Sequence, residues 1–449
     1  IRAKVRTRDF WEAIEEQMTQ KNERIQVNAS LRWDIPFVKG LWAKALVAYD
    51  PKFYKSKLFS KQYRTYQYDK ATGTYSVANT SAMSSVTEWR SDTATPTTQL
   101  SLNYENKFQN KHNVKALLLF ETRKWQTSEL SGKRNTLMDA VDQIYAGLVD
   151  DARSVNGSAD RNSNMGLVGR VDYDFLSKYL VQASFRLDGS SKFRNKKWGF
   201  FPSFSAGYDM ARTDYFKGWN LPFSQLKLRV SYGRLGNQNG AGLYDYLGFM
   251  NLVPDSPDSW LLPGVSDTPS KGVLARTPKM ISPYITWEKV DNANLGIDLM
   301  LFRNRLSVTA DIYQRTTRDM IGPAEAIPSI SGINTEDRSK INNATLRNRG
   351  WELSVNWQDR LKCGFSYGIG FNISDYKAVV TKYNNPEGLL YNNHTGLARN
   401  KGYYEGMDIG EIWGFQADDL FRTNREVDEY LKTVDLSFFK ADNLWQAGD

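Results

Sequence analysis

Residue types capable of covalent or metal chemistry are few in this chain and poorly spaced for it. Its 449 residues include two histidines and one cysteine. His112 falls in a tight turn and His394 in a long polar stretch. Neither has a second donor at metal-ligand spacing, and no His-Glu-x-x-His string occurs. Both read as solvated imidazoles. Cys363, beside Gly364, has no partner for an internal disulfide or a multi-cysteine zinc site and reads as an unpaired thiol in a turn. The glycine-rich run from Gly233 to Gly242 does not match a phosphate cradle and reads as loop leaving a strand. Adjacent carboxylates such as Asp418 and Asp419 read as solvated. No catalytic residue, no metal ligand and no cofactor is expected.

Non-covalent recognition is better represented. Trp125, Tyr145, Tyr244, Tyr246, Trp260, Tyr403 and Tyr404 lie in or beside stretches that read as long loops rich in Asn, Asp and Gly. Such rings stack on sugar faces or hold peptide side chains while polar neighbours take hydrogen bonds. The same rings would serve equally well to pack loop on loop or to receive a partner that closes over them.

The elements that must carry these loops are strands. The chain holds 13 Trp, 24 Tyr and 22 Phe, residues that favour strands, with Gly and Asn between them to make turns. Period-two alternation recurs: Val27, Ala29, Leu31, Trp33; Ala43, Ala45, Val47, Tyr49; Val114, Ala116, Leu118, Phe120; Tyr179, Val181, Ala183, Phe185; Leu226, Leu228, Val230, Tyr232; Trp351, Leu353, Val355, Trp357. The intervening positions are polar, as in Lys227, Arg229 and Ser231, so each strand has one apolar and one polar face. About twelve such segments can be counted. No apolar run approaches the roughly 20 residues of a membrane helix. A mean hydropathy of −0.56 does not exclude a membrane barrel, whose strands dilute lipid-facing residues with lumen-facing ones.

Alternation alone leaves a soluble sandwich and a transmembrane barrel both open. The connections favour the barrel. Tight turns at Gln109–His112, Leu176–Lys178, Arg303–Arg305 and Gln358–Lys362 alternate with long gaps at about Pro51–Pro96, Thr122–Ser163, Gly233–Pro283 and Thr316–Arg347. Short turns at one end and long loops at the other are the pattern of an outer-membrane barrel. Trp351 and Trp357 bracket one strand, about 20 Å apart, and Trp33, Trp42, Tyr49, Trp125, Trp198 and Trp287 also fall near strand ends, as aromatic girdles would. Residues 1–26 read as loop with a short amphipathic helix over Asp9–Lys21, where Phe10, Trp11, Ile14 and Met18 have helical spacing. Residues 27–449 read as barrel wall with long extracellular loops and short periplasmic turns. Lys and Arg total 59 against 50 Asp and Glu, a surplus of +9 with the signs interleaved. That is not the concentrated stripe of a nucleic-acid binder, so no nucleic acid is expected. With neither an initiator Met nor a signal-peptide core at Ile1, and an abrupt end at Gly448-Asp449, the chain reads as part of a longer protein.

Certain strings are more specific. Arg186-Leu187-Asp188-Gly189-Ser190-Ser191-Lys192-Phe193 is followed by Trp198-Gly199-Phe200-Phe201-Pro202-Ser203-Phe204-Ser205-Ala206-Gly207, then by Leu226-Lys227-Leu228-Arg229-Val230-Ser231-Tyr232-Gly233-Arg234-Leu235-Gly236-Asn237. Trp287-Glu288, Asn294-Leu295-Gly296-Ile297-Asp298, Asn304-Arg305-Leu306-Ser307 and Asn348-Arg349-Gly350-Trp351-Glu352 come after, and Asp34-Ile35-Pro36-Phe37-Val38-Lys39-Gly40-Leu41 before. Their order and spacing over residues 27 to about 420 resemble the SusC/RagA family of TonB-dependent outer-membrane transporters. Tyr208 stands where that family usually has Trp. The strings themselves read as architecture: Gly189 and two serines for a turn, Pro202 at a strand start or bulge.

The resemblance implies an all-β fold, part of a large antiparallel transmembrane barrel of about 22 strands, with the plug domain and TonB box outside this chain. An open wall leaves unpaired edges in lipid, which a membrane does not tolerate, so the other strands are expected elsewhere in the protein. It further implies outer-membrane localisation among outer-membrane lipid and a non-enzymatic role importing oligosaccharides or oligopeptides. The implied partners are a SusD-like surface lipoprotein that closes over the mouth and the TonB–ExbB–ExbD complex that supplies energy. A passive porin, a siderophore- or vitamin-type TonB-dependent receptor, and a soluble carbohydrate-binding β-protein or glycoside hydrolase remain the alternatives.

Overall fold

The computed structural model describes residues 16–70, 72–80, 83–136, 141–146, 154–213, 216, 223–248, 250, 252–253, 261–262, 270–271, 273–275, 280–323, 339–383, 403–412 and 420–433. Among these the dominant feature is one antiparallel sheet of thirteen strands. In chain order its strands are β1 (Glu16–Arg24), β2 (Val27–Asp34), β3 (Leu41–Ser60), β6 (Ser85–Phe108), β7 (His112–Asn135), β8 (Ser154–Phe175), β9 (Tyr179–Ser190), β10 (Trp198–Asp209), β11 (Phe223–Asn237), β16 (Glu288–Leu301), β17 (Leu306–Pro323), β18 (Lys340–Arg360) and β19 (Ser366–Lys382). Between them lie a hairpin of β4 (Arg64–Asp69) and β5 (Thr74–Thr80), and four two-residue strands: β12 (Leu252–Val253), β13 (Leu261–Leu262), β14 (Ser270–Lys271) and β15 (Leu274–Ala275).

From β2 onward each strand of the sheet pairs with the next one in the sheet, an up-and-down meander. The edge position is shared: β2 pairs with the first part of β3 and β1 with the second, joined by the Ile25 N–H bond to the Pro51 carbonyl. The helix expected over Asp9–Lys21 is therefore corrected from Glu16 onward, and its earlier residues lie outside the described part. The physical reason is the ladder. Nine cross-strand pairs along Lys52–Ser60 satisfy the backbone of Glu16–Arg24, and a short isolated helix has no comparable partner. One helix that sequence reading did not anticipate is α1 (Asn424–Thr433). Its signal was present: Thr423 Oγ1 accepts from the Glu426 N–H while the Glu426 carboxylate takes the Arg422 N–H, close to a capping box. Neither it nor any other described helix is long and apolar enough to cross a membrane, which leaves crossing by strands untouched.

Register turns the alternation of single strands into continuous rows. One row runs Leu31, Ala45, Leu100, Phe120, Leu167, Leu187, Phe200. Another runs Val181, Ala206, Val230, Leu295, Ile312, Trp351. Most large residues in these rows are exposed, so they form an apolar surface, not a buried core. Between the Leu301–Leu306–Trp357–Ile369 row and the Leu295–Ile312–Trp351 row lie six residues per strand. That is about 20 Å of strand, close to the height of the apolar band of an outer-membrane barrel. At the short-turn end His112, Phe175, Tyr179 and Tyr208 make an aromatic cross-strand row. The Tyr179 and Tyr208 rings stack at 4.9 Å. His112 is thus not simply solvated: it opens β7, and its Nδ1 is 2.8 Å from the Tyr173 hydroxyl.

Three of the tight turns fall where expected and use left-handed backbone: φ is positive at Gln109 and Asn110, Leu176 and Ser177, and Phe302, Arg303 and Asn304, the sense that matches strand twist in short hairpins. The fourth, expected at Gln358–Lys362, lies instead at Leu361–Phe365, because the β18 ladder runs on to Arg360, with Gly364 at φ +91. Gly40 closes the β2–β3 turn at φ +84, and a Cβ there would overlap the Glu105 carbonyl oxygen. Its own carbonyl receives the Glu105 N–H at 2.8 Å. Gly40→Ala is expected to destabilise the wall by roughly 2–4 kcal/mol, from left-handed strain, backbone overlap and that hydrogen bond together. Urea unfolding of the full-length protein in lipid vesicles checks this, and an unchanged midpoint would refute it.

The long gaps are shorter than the sequence indicates. Strands β3 and β6 extend into Pro51–Pro96, β7 and β8 into Thr122–Ser163, β17 and β18 into Thr316–Arg347. Here both faces are polar, as in Thr87-Glu88-Trp89-Arg90-Ser91-Asp92, so alternation disappears while the hydrogen-bond ladder continues.

Candidate functional site: the polar wall and its loop platform

The polar face carries a ladder of ion pairs at the level of the apolar band. Arg229 binds Asp298 through Nε at 2.7 Å and through a second nitrogen at 3.0 Å, and reaches Asp311 at 3.1 Å. A fork of this kind fixes both carboxylates in the plane of the wall. Gly296 makes the room: a Cβ there would overlap an Asp311 oxygen and crowd the Arg229 guanidinium. Arg186 binds Asp188 at 2.7 Å and approaches Glu121 at 3.5 Å, and Glu121 accepts from the Gln99 amide. Arg170 pairs with Asp172, and Lys115 with Glu105. Charges of both signs thus share the face opposite the apolar band, a face suited to water and not to lipid.

Beyond the band the polar face becomes aromatic and hydroxylic. Trp125 sits in β7 opposite Asn162 of β8, two positions from Arg123 and Thr127 on the same face. Tyr54 and Trp89 meet edge to face at 5.3 Å, and Thr93 and Thr127 join hydroxyls at 3.0 Å. Sequence reading missed Tyr54 and Trp89 as lining residues because the polar extensions of β3 and β6 carry no period-two signal.

The other loop aromatics are dispersed. Tyr145 is exposed in a 3-10 turn, Ile144–Ala146. The Tyr244 hydroxyl accepts the Arg161 N–H at 3.1 Å and so ties loop to wall; Tyr246 is half-buried. Tyr403 is exposed and meets Tyr383 at 5.8 Å, and the Tyr404 hydroxyl donates to Glu411 at 2.8 Å. Trp260, His394, Asp418 and Asp419 lie outside the described residues. Among the described residues no group of three His, Cys, Asp or Glu could hold a metal ion. Of the residues expected in girdles, Trp33, Trp351 and Trp357 lie on the apolar face. Trp42 is instead covered by the Arg32 guanidinium on the polar face, and Trp287 is buried.

That burial marks the platform on which the loops stand. Phe193, Phe201, Ala241, Ile285 and Trp287 form a core cluster with Ile321 packed against it. The Trp287 Nε1–H donates to the Lys197 carbonyl at 2.9 Å. Ser190 bonds Gln238, whose amide donates to Asn164. Glu288 accepts from the Asn237 amide and the Ile321 N–H. Lys192 Nζ donates to the Ala241 and Gln238 carbonyls. Burial holds its ammonium below the usual lysine range, against the pull of Asp245 and with the push of Lys340. The strings around Ser190, Phe201, Asn237 and Trp287 thus converge from four separate strands on one knot at the long-loop end.

Comparison with known proteins agrees with this architecture. Residues 4–429 match the family described as TonB dependent receptor-like, beta-barrel. TonB-dependent receptor P39 of Formosa agariphila is 28% identical over 324 residues, covering 71% of this chain and 28% of that protein. TonB-dependent receptor SusC of Bacteroides thetaiotaomicron is 26% identical over 287 residues, 64% of this chain and 27% of its own length. The chain therefore spans between a quarter and a third of the curated relatives it matches. In fold, the RagAB peptide importer in its closed-closed state superposes with a TM-score of 0.69 at 21% identity, covering 85% of this chain and 39% of the other. The apolar band, the turn-and-loop asymmetry and these matches agree with one another: the chain is outer-membrane barrel wall, similar to SusC and to the RagAB importer, and it belongs to the TonB dependent receptor-like beta-barrel family.

Proposed function

We propose that the whole protein imports oligosaccharides or oligopeptides across the outer membrane, in concert with a SusD-like surface lipoprotein and driven by the TonB–ExbB–ExbD complex. The observation that carries this reading is the polar face: fixed ion pairs at membrane level below a wall of Trp, Tyr, Thr and Asn, suited to large hydrated cargo. Glycan is favoured slightly over peptide by those rings and amides, which match the stacking and hydroxyl contacts of sugars. Trp125 is the cargo contact we infer first, since it faces the passage; Tyr145 and Tyr403 keep exposed rings, whereas Tyr244 and Tyr404 already spend their hydroxyls on loop structure.

The test is a detergent pull-down of the full-length protein from native outer membranes, with mass spectrometry of co-purifying proteins and small molecules. A stoichiometric lipoprotein with a bound oligosaccharide is the expected result, and bound peptides would reverse the cargo preference. A lone barrel without lipoprotein would overturn the reading in favour of a porin or a siderophore-type receptor.

A further inference from the structure

The apolar face does not end in a neutral rim along β11 and β16–β19. Above the Val230–Leu295–Ile312–Trp351 row, register places Tyr232, Gln314, Arg349 and Lys377 on the same face. Arg234, Asp291 and Arg347 fall in the row beyond, and Lys289 with Arg318 in the next. The Tyr232 hydroxyl donates to Asp291 at 3.1 Å, which ties this charged layer to the face that carries Val230.

The cations here exceed what the acids neutralise. Asp291 serves two guanidiniums, Arg234 at 2.7 Å and Arg318 at 3.2 Å. Lys289 and Lys377 have one carboxylate each, Asp319 and Asp408. Arg349 donates at 2.6 Å to Gln314, a neutral amide, and Arg347 has no carboxylate partner among the described residues. Arg347 and Arg349 point the same way from one strand, about 7 Å apart, with Asp375, on the Trp351 row below them, as the nearby acid.

On a surface bathed only in water this would be an ordinary solvated patch. Its height makes the difference, because it begins one row above the apolar band and on the side that meets lipid. Side chains there lie among the headgroups of the outer leaflet, on the side of the long loops. Guanidinium is the group best shaped to take phosphate oxygens in pairs, and it loses less than ammonium when partly dehydrated.

We propose that this collar binds the phosphate groups of an outer-leaflet glycolipid, with Arg347 and Arg349 as the principal ligands and the shared Arg234–Asp291–Arg318 group beside them. The occupant is a phosphorylated lipid and not a free anion, since the acyl chains would lie on the adjoining band of Leu, Ile and Trp. The inference rests on the barrel's orientation and is independent of what the protein imports.

Native mass spectrometry of the full-length protein in detergent tests this, using diphosphorylated lipid A, its dephosphorylated counterpart and inorganic phosphate. The diphosphorylated lipid should bind at least about tenfold more tightly than the dephosphorylated one, and R347Q/R349Q should lose about tenfold or more. Lys362→Gln, in a turn at the other end of the wall, should leave binding unchanged. Equal binding of the two lipids, wild-type binding by a folded R347Q/R349Q, or displacement of the lipid by equimolar phosphate would each overturn the proposal. Should the double variant fail to fold, the wild type still decides: lipid should dissociate as salt rises from about 0.05 to 0.5 M, and salt-independent retention would refute it.

Discussion

Leu353→Arg should destabilise the barrel by about 2–4 kcal/mol, whereas Ser354→Arg, one residue further on, should cost less than about 1 kcal/mol. Leu353 lies mid-band on β18, in register with Ala310 and Ile373; Ser354 faces the other way, beside Thr309 and Asn372. An arginine at the first site must be desolvated or drag water and headgroups into the hydrocarbon. At the second it reaches the wet side, where Arg229, Asp298 and Asp311 already hold charge. Denaturant titration of the full-length protein folded into vesicles gives both values. The side chain introduced is the same in both, so the difference reports chiefly which face meets hydrocarbon. Equal costs would mean that the apolar face is covered by something other than lipid, and the orientation argued for the wall would fail with it.

The contrast between those neighbours is legible in the amino-acid sequence alone, because period two appears there wherever one face meets hydrocarbon. The Trp351–Trp357 repeat, the tight turns and the count of about twelve wall positions all follow from it. Where both faces meet water the same backbone leaves no pattern. Ser85–Pro96 and Thr122–Asn135 therefore read as loop although they continue β6 and β7. The opening residues mislead for a related reason. Met18 completes a helical face with residues 10–14 on spacing, but its deciding partner is Leu58 in the second half of β3, far off in the chain.

The site is legible only in its components. Trp125 can be picked out as an aromatic among polar residues, but not its position opposite Asn162, nor that Tyr54 and Trp89 meet further along the same face, which depend on strand order. Tyr244 and Tyr404 stand out on the same grounds, and their hydroxyls turn out to serve loop structure. Recognisable strings do better at naming a family than at naming a role. Their convergence joins Ser190 to Gln238 and Lys197 to Trp287, contacts between segments that nothing in local sequence brings together.

That convergence gives the second large expected effect. Trp287→Ala should cost about 3–5 kcal/mol, the usual range for emptying a buried aromatic site, and the loss should fall on the loop platform and not on the barrel. Trp287 is 6% exposed, touches Phe193 at 5.3 Å and Phe201 at 5.6 Å between ring centres, and holds the Lys197 carbonyl. The Phe201 ring lies where Cβ atoms on Gly199 and Gly236 would be, so the surroundings are already tight and no neighbour can swing in to fill the gap. Below the cluster, β9, β10, β11 and β16 keep every ladder bond, since none depends on Trp287. Local opening free energy therefore drops while global unfolding barely changes. In pulse trypsinolysis of the folded protein, cleavage after Lys196 and Lys197 should accelerate about 100-fold or more, as an opening equilibrium shifted by that energy requires, while the barrel's denaturant midpoint stays near wild type. Trp198→Ala is the matched control: the same side chain at the start of β10, two strands away, 53% exposed and resting on Gly189, should change neither the midpoint nor cleavage after Lys196 appreciably. If cleavage did not accelerate, the cluster would not be what holds the loops. If the midpoint fell instead, the knot would belong to the wall itself, and the strings that mark this family would be serving barrel closure and not the presentation of its outer surface.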